Sequence, residues 1–371
     1  MKKIFGLTDE DLKYKYLPGY DKVKLKKESQ LKPDIAKKLK LIVGEENVAV
    51  DDFSRANHAF GKYYTDLVKL RTGKVETPPD AVVYPRTDKD VEKIIKICHE
   101  GKIAVTPYGG HSSVTRGVET PKGGISLDLT KHLNKVLNVS EVNSSVTVQA
   151  GMYGPPFEEY LNNYGIGYSC GHFPQSFEYS TVGGWAAARG AGQNSTGYGK
   201  MESMVLSMKF VTPRGIIETR DFPARAQGWD LDQIFMGCEG TLGVITELTM
   251  KIRKFQPSNT SHISFIFKNF ESAVTAMRES MQSQFGLPHL FRISDAEETD
   301  IAFKMKGFED SFVDKFLQAL GHKPGKRCLM FVTVEGDKDY TKFVSSKIKK
   351  IARKHNALKC RRRLRRRRRK K

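Results

Sequence analysis

The sequence predicts an α+β chain of two successive domains behind a basic N-terminal appendage. Three observations carry this expectation. Helical and strand periodicities alternate from about residue 79 to 255; the double proline Pro78-Pro79 punctuates the start of that block; and after Pro257 the texture changes to a strand followed by a long amphipathic helix. A length of 371 residues allows two or three modest cores. We divide the chain into 1–78 (appendage), 79–255 (first domain), 256–360 (second α+β domain) and 361–371 (basic tail).

The elements follow in order. In the appendage "DIAKKLKLIVG" reads as a helix stopped by Gly44. Val82 and Val83 open the first domain as a short β-branched strand. Val91, Ile94, Ile95 and Cys98 fall at i, i+3, i+4 and i+7, a helix capped by Thr87 or Asp88, and "KIAVTP" follows as a strand. "GISLDL", "KVLNV" and "SVTVQAG" alternate as strands, a helix starts at Pro155-Pro156, and a glycine-rich stretch "GWAAARGAGQNSTGYGK" precedes strands "VLSMKFVTP", "GIIETR" and "GTLGVITELTMKIR". The second domain reads as strand "SHISFIF", a helix, strands "HLFRIS" and "CLMFVTVEG", and helix "YTKFVSSKIKKIARKH". We expect no returning strand after that helix, which would leave a sheet face unburied.

Composition excludes several classes. No apolar run approaches the roughly 18–20 residues of a membrane span, and the start "MKKIFGLTDEDLKYKY" turns acidic where a signal peptide needs an apolar stretch, so we expect a cytoplasmic chain. No C-terminal peroxisomal signal is seen. Cys98, Cys170, Cys238, Cys328 and Cys360 are odd in number and scattered, which fits reduced thiols and neither a disulfide frame nor a zinc site. No HExxH or paired metal-ligand spacing occurs, so no metal is expected. Half of the formal charge of +20 comes from the tail "RRRLRRRRRKK". The tail would bind polyanions without reading sequence, and the body carries no base-recognition motif, so no specific nucleic acid is expected.

Three loops carry candidate chemistry. In "TPYGGHSSV" adjacent glycines let backbone N–H groups point inward as an anion nest, with Ser112 and Ser113 as further donors. A tight turn is the plain alternative for such a loop alone. "QSFEYSTVGGW" supplies a second glycine-rich turn with Ser180 and Thr181, and "EGTLGVIT" a third with Gly240 and Gly243. GxGxxG and GxxxxGK[ST] are both absent, so the usual dinucleotide and P-loop cradles are excluded, and three separated loops imply an extended ligand. "GYSCG", Gly167–Gly171, matches the nucleophile elbow of hydrolases, but Pro174 and the lack of a following helical period argue against it.

The blocks "PRTDKDVEKIIKIC", "TPYGGHSSV", "QSFEYSTVGGW", "VTPRGIIETR" and "MGCEGTLGVITELTMKIR", in this order, resemble the PCMH-type (vanillyl-alcohol-oxidase-type) flavoproteins. Within them the chain is most similar, from about residue 50 to 358, to the alkylglycerone-phosphate synthases. The resemblance implies a two-subdomain FAD-binding domain followed by an incomplete cap domain, with FAD as cofactor. Pro107, Tyr108, Gly109, Gly110, His111, Ser112 and Ser113 match the family's pyrophosphate loop. Gln175, Ser176, Phe177, Glu178, Tyr179, Ser180 and Thr181 match its second flavin segment, and Ala188, Arg189, Gly190 and Ala191 its third. Glu239, Gly240, Thr241, Leu242, Gly243, Val244 and Ile245 match its last. His172 matches a histidine of the synthases. Arg292 in "FRISDAEET" stands where the family binds substrate phosphate, a task that suits a guanidinium fork. Arg225 stands where it keeps an active-site arginine, with an exposed loop arginine as the alternative.

The departures matter too. The synthases usually carry glycine where this loop has His111, and berberine-bridge-type relatives attach flavin covalently to a histidine in a similar GGH segment. Covalent attachment, a hydrogen bond to the flavin and a solvent-facing ring all stay open. The family's catalytic Tyr and cluster of three histidines have no counterpart between 256 and the end, as a truncated or frameshifted end would leave it, so the catalytic residues stay unknown. The implied activity is exchange of the acyl chain of acyl-dihydroxyacetone phosphate for a fatty alcohol, with a lipid-like substrate, peripheral membrane contact and a homodimer. A 2-hydroxy-acid dehydrogenase or oxidase, and a catalytically incomplete FAD-binding protein, are the alternatives.

Overall fold

The computed structural model describes residues 2, 6–11, 13, 23–222, 224–226 and 228–360, so the basic tail 361–371 lies outside the described residues. The chain forms two compact units. One comprises residues 14–192 and 199–254, the other residues 193–198 and 255 onward together with the chain's first residues.

Among the described residues the larger unit contains two main sheets and one two-stranded sheet. Strands β1 (Val48–Ala49), β2 (Ala81–Val83), β3 (Val105–Tyr108) and β4 (Ile125–Asp128) form the first, in the order β1-β2-β4-β3. β2, β4 and β3 run parallel and β1 antiparallel to β2, so the stretch before residue 79 contributes a strand. Both β2 and β4 are buried along their whole length, as parallel strands covered on two faces must be. The helix Asp88–Gly101 buries the predicted stripe Val91, Ile94, Ile95 and Cys98. The Thr87 hydroxyl accepts from the Asp90 amide at 3.1 Å and caps it.

The second sheet is antiparallel, built from β5 (Val136–Ser140), β6 (Ser145–Gln149), β8 (Val205–Thr212), β9 (Gly215–Glu218) and β10 (Val244–Lys251) in the order β5-β6-β10-β8-β9. Two short strands, β7 (Tyr168–Ser169) and β11 (Arg253–Lys254), pair separately. Ser169 of "GYSCG" is therefore a buried strand residue. Its hydroxyl accepts from the Gly171 amide at 3.1 Å and no helix follows, so the elbow geometry is absent.

The smaller unit is one antiparallel sheet, β12 (Ser261–Phe267), β13 (Leu290–Ser294), β14 (Cys328–Val334) and β15 (Leu358–Lys359), ordered β13-β14-β12-β15. β15 corrects the expectation of no returning strand: Leu358 and Lys359 return antiparallel to Ile266 and Phe265. They were missed because two residues before an arginine run show no period of their own. The helices Phe270–Gln282 and Lys338–Lys354 cover one sheet face, closing a core of Phe265, Phe267, Met330, Val332, Val344 and Ile348.

Residues 193–198 complete this unit. Tyr198 donates to Glu335 at 2.7 Å and packs its ring 4.3 Å from that of His289. Arg327, fully buried, bonds Asp300 at 3.0 Å and Asp314, with its guanidinium 3.9 Å from the Phe303 ring. A buried arginine needs such partners, because taking it out of water unpaired costs several kcal/mol. Among the described residues no helix is long and apolar enough to cross a membrane, and no group of three or more His, Cys, Asp or Glu is placed to hold a metal.

Candidate cofactor site

Three loops of the larger unit converge because their glycines let backbones meet. A Cβ on Gly110 would stand 1.9 Å from the Tyr179 carbonyl oxygen, and one on Gly109 2.5 Å from Thr181 Oγ1. A Cβ on Gly240 would meet the Pro107 ring at 2.9 Å. The "PYGGHSSV" glycines thus join the first loop to the second before they serve any ligand. Thr181 caps the short helix Val182–Ala187, and Trp185 Nε1 donates to Ser180 Oγ at 2.7 Å, tying that helix back to its own loop.

The junction encloses a cavity lined by Pro107, Tyr108, Gly109, Thr181, Gly240, Gly243, Val244 and Ile245, all predicted, together with Leu129, Ala150, Gly183, Gly184, Ala187 and Cys238, which were not. A second cavity shares Pro107, Gly240, Gly243 and Val244, adds Thr241 and Leu242, and continues towards Cys98 and His99. The shared lining makes the two cavities adjoin. A larger cavity of about 560 Å³ lies on the β6, β10 and β8 strands, but the charge of Lys209 there is already met by Asp88 at 3.3 Å and Glu247 at 3.1 Å.

Backbone strain gathers at these loops. His111, Arg116, Arg189 and Glu239 hold φ of 44°, 68°, 47° and 47°, the left-handed region that non-glycine residues seldom adopt without surrounding support. Two histidines accompany them, His111 partly buried and His172 fully so. His111 lies against Tyr108, ring centroids 5.4 Å apart, and its pKa falls to about 4 through burial, then through Lys62 and His58. His172 is fully buried beside Trp185, with neither ring nitrogen hydrogen-bonded among the described residues, and burial lowers its pKa to about 4. In both the burial favours the neutral imidazole. A fully buried imidazole with no partner is the kind of orphan that a ligand or water satisfies.

The remaining predicted residues take other places. Gln175, Ser176, Phe177, Glu178, Tyr179 and Ser180 lead into Thr181 but line neither cavity; Gln175, Glu178 and Tyr179 are exposed, and Ser180 Oγ donates to the Ser176 carbonyl at 2.8 Å. Ala188, Arg189, Gly190 and Ala191 follow the helix. The Arg189 guanidinium bonds the carbonyls of Met236 and Gln233 and so bolts the third segment to the last. The Ser113 hydroxyl accepts from the Thr115 and Gly117 amides, both at 3.3 Å, within its own loop. Arg225 is half-buried, donating to the Leu206 carbonyl at 2.9 Å and to Asp232 at 2.5 Å. In the smaller unit Arg292 is 54% exposed on the sheet face opposite the covering helices, beside cross-strand Phe331, and pairs with Glu298. Gly183 and Gly184, quoted in the sequence but not assigned, are the lining that pattern reading passed over. Their signal was the glycine pair directly after the Thr181 cap.

These residues fit an FAD: a glycine junction open at Gly184, two adjoining cavities, and an orphaned buried imidazole beside Trp185 of the helix that contributes Gly183 and Gly184. The comparisons agree. The FAD binding domain family matches residues 79–220 and the C-terminal domain of FAD linked oxidases matches residues 256–370. The alkyldihydroxyacetonephosphate synthase of Dictyostelium discoideum is 33% identical over 322 residues, 84% of this chain and 52% of the relative. A mitochondrial D-lactate dehydrogenase [cytochrome] of Arabidopsis thaliana is 31% identical over 339 residues, 88% of this chain and 53% of the relative. A solved alkyldihydroxyacetonephosphate synthase superposes with a TM-score of 0.80 at 31% identity, covering 90% of this chain and 61% of its own. The chain spans about half the length of the curated relatives it matches.

Proposed function

We propose, from the premise that the chain belongs to the FAD-dependent flavoproteins that join an FAD-binding domain to an FAD-linked-oxidase C-terminal domain, that it acts as an alkylglycerone-phosphate-synthase-like enzyme. The reaction would exchange the acyl chain of acyl-dihydroxyacetone phosphate for a fatty alcohol. The single observation that carries the reading is the similarity to synthases over most of the chain, at 33% identity and with a superposition of TM-score 0.80. The D-lactate dehydrogenase likeness also runs across both domains, at 31% identity over 88% of this chain, and is the second reading.

In this reading the loops at Pro107–Ser113, Gln175–Thr181 and Glu239–Ile245 hold the FAD, with backbone N–H groups toward its phosphates. FAD, when bound, supplies the addition chemistry at an activated ring that no side chain offers. His172, neutral and fully buried, can give one N–H or accept one to a ligand held beside Trp185. Arg292 would exchange Glu298 for the substrate phosphate, a dianion that competes well with one carboxylate. Arg225, held by Asp232, serves the reading as a positioning residue. The reading carries with it a lipid-like substrate, a cytoplasmic chain that meets membranes peripherally, and a homodimer.

The test is a visible spectrum before and after acid precipitation, followed by exchange of labelled fatty alcohol into acyl-dihydroxyacetone phosphate. Flavin released to the supernatant and labelled ether product support the proposal. Colour kept in the pellet, and lost in His111→Ala, assigns a covalent link to His111. Anaerobic bleaching by a 2-hydroxy acid favours the dehydrogenase reading, and bound FAD with neither reaction favours an FAD-binding protein without catalysis.

A further inference from the structure

The helix Phe312–Ala319 in the smaller unit is turned inside out. Of its eight residues the one that is buried is Asp314, while Phe312 is 85% exposed, Phe316 54% and Val313 51%. At about 100° per residue, Phe312, Phe316, Val313 and the following Leu320 share one side of the helix, and Asp314 with Gln318 occupies the other. The inward side is fixed by ions. Asp314 bonds the buried Arg327 and accepts from Gln318 Nε2 at 3.1 Å, and Arg327 is held in turn by Asp300 at 3.0 Å. The apolar side therefore faces solvent as a preformed surface. Met305, 61% exposed, and Phe308, 46% exposed, extend it at the end of the preceding helix Ala296–Met305.

The charges around this surface point to its partner. Exposed Lys315 stands on the helix itself, and exposed Lys306, Lys323 and Lys326 lie within several residues of its ends in sequence, with Lys304 beside Glu309 at 3.6 Å and Asp310 the remaining exposed acid of the turn. Aromatic and aliphatic side chains within a collar of lysines are what an interfacial helix needs. The rings enter the boundary between headgroups and acyl chains, while lysine stems lie along it and their ammonium groups meet lipid phosphates. We propose that the exposed face of Phe312–Ala319 docks this protein on an anionic phospholipid surface. The proposal deepens the lipid-substrate reading by naming its contact surface. Vesicle binding needs no turnover, so either can fail without the other.

The experiment uses the full chain and vesicles of phosphatidylserine mixed into phosphatidylcholine, with pure phosphatidylcholine for comparison. Expected is co-sedimentation with the anionic vesicles that falls as salt rises. The double change Phe312→Ser with Phe316→Ser should weaken it roughly ten- to hundredfold, the loss that keeping one or two aromatic rings in water would produce. The tail is the same in both proteins, so the difference reports the helix. The melting temperature and bound FAD should stay unchanged. Phe312→Ser alone, at the most exposed position, gives the same reading if the double variant folds poorly, and Phe316→Trp should be quenched by brominated lipid. Equal vesicle affinity of variant and parent overturns the proposal. So does failure of the parent to bind either vesicle, or a variant whose main change is conversion of an oligomer to a monomer.

Discussion

Gly110→Ala separates a glycine needed for loop packing from one needed for a ligand. Its new Cβ would lie 1.9 Å from the Tyr179 carbonyl oxygen and 2.8 Å from Ser180 Cα, where ordinary contact starts at 3.4 Å. Both obstacles are backbone, so no rotamer change relieves them, and the second loop must retreat by the difference between 1.9 and 3.4 Å. Overpacking of this kind costs up to about 3 kcal/mol, which for a unit of this size lowers the melting temperature by roughly 6–12 °C. FAD affinity should fall with it, since the loops that part are those that form the cleft. Gly184→Ala is the contrast. Its Cβ meets only Thr181 Oγ1, at 3.3 Å, and Gly184 lines the cavity. Alanine favours the helix by up to about 1 kcal/mol, so the melting temperature should hold or rise while FAD binding weakens roughly tenfold, about 1.4 kcal/mol. Differential scanning fluorimetry and quenching of FAD fluorescence read both quantities. The reasoning fails if Gly110→Ala melts and binds as the parent does, or if Gly184→Ala loses stability and FAD together.

Four further outcomes follow from the same geometry. Arg327→Ala strands Asp314 and Asp300 and should cost about 3–5 kcal/mol in urea unfolding of the smaller unit. Burial alone would push the Asp314 carboxyl up, but Arg327, with the Asp310 amide and Gln318, holds it below the usual range. Its contribution is complete above the ordinary carboxylate pKa of about 4 and is lost as pH falls through the lower folded value, so urea midpoints against pH should flatten in Arg327→Met. His111, held down to about 4, binds its proton more readily unfolded than folded. Its stabilising effect is therefore present above about 6.5 and declines as pH falls towards about 4, and His111→Gln should remove that part of the slope in melting scans. Arg292→Met should raise the KM for the phosphorylated substrate roughly ten- to hundredfold, the loss of a charge-assisted hydrogen bond, with FAD titration unchanged.

The elements that obey a single rule were readable in advance. The helix Asp88–Gly101 followed from Val91, Ile94, Ile95 and Cys98 because apolar spacing and the Thr87 cap agree there, and β12 and β14 followed from β-branched and aromatic runs. The helix Phe312–Ala319 could not be oriented that way. An Asp–Arg pair distant in sequence decides which side is inside, and the apolar stripe then points the wrong way for a pattern argument. At the cofactor site the three loops were visible as glycine clusters, and Thr181, Gly240 and Gly243 do line one cavity. What stayed hidden was the use of each glycine. Gly110 touches another loop, Gly184 faces the cleft and Gly109 does both, and nothing in a glycine's neighbours along the chain separates these uses. Leu129 and Ala150 were missed for a simpler reason: residues just past strand ends read as core until a sheet is assembled around them.

The excursion of residues 193–198 has a consequence for biosynthesis. The segment leaves the ribosome amid residues of the larger unit, well before β12, β13 and β14 exist, yet its Tyr198 bonds Glu335 and packs on His289. Domains emerging from a ribosome generally fold in order, so here the earlier domain must finish while holding out a loop for the later one. A gene fragment starting at residue 255 would encode every strand of the smaller unit and still lack one of its parts. Fragment boundaries drawn from strand content alone would miss that dependence.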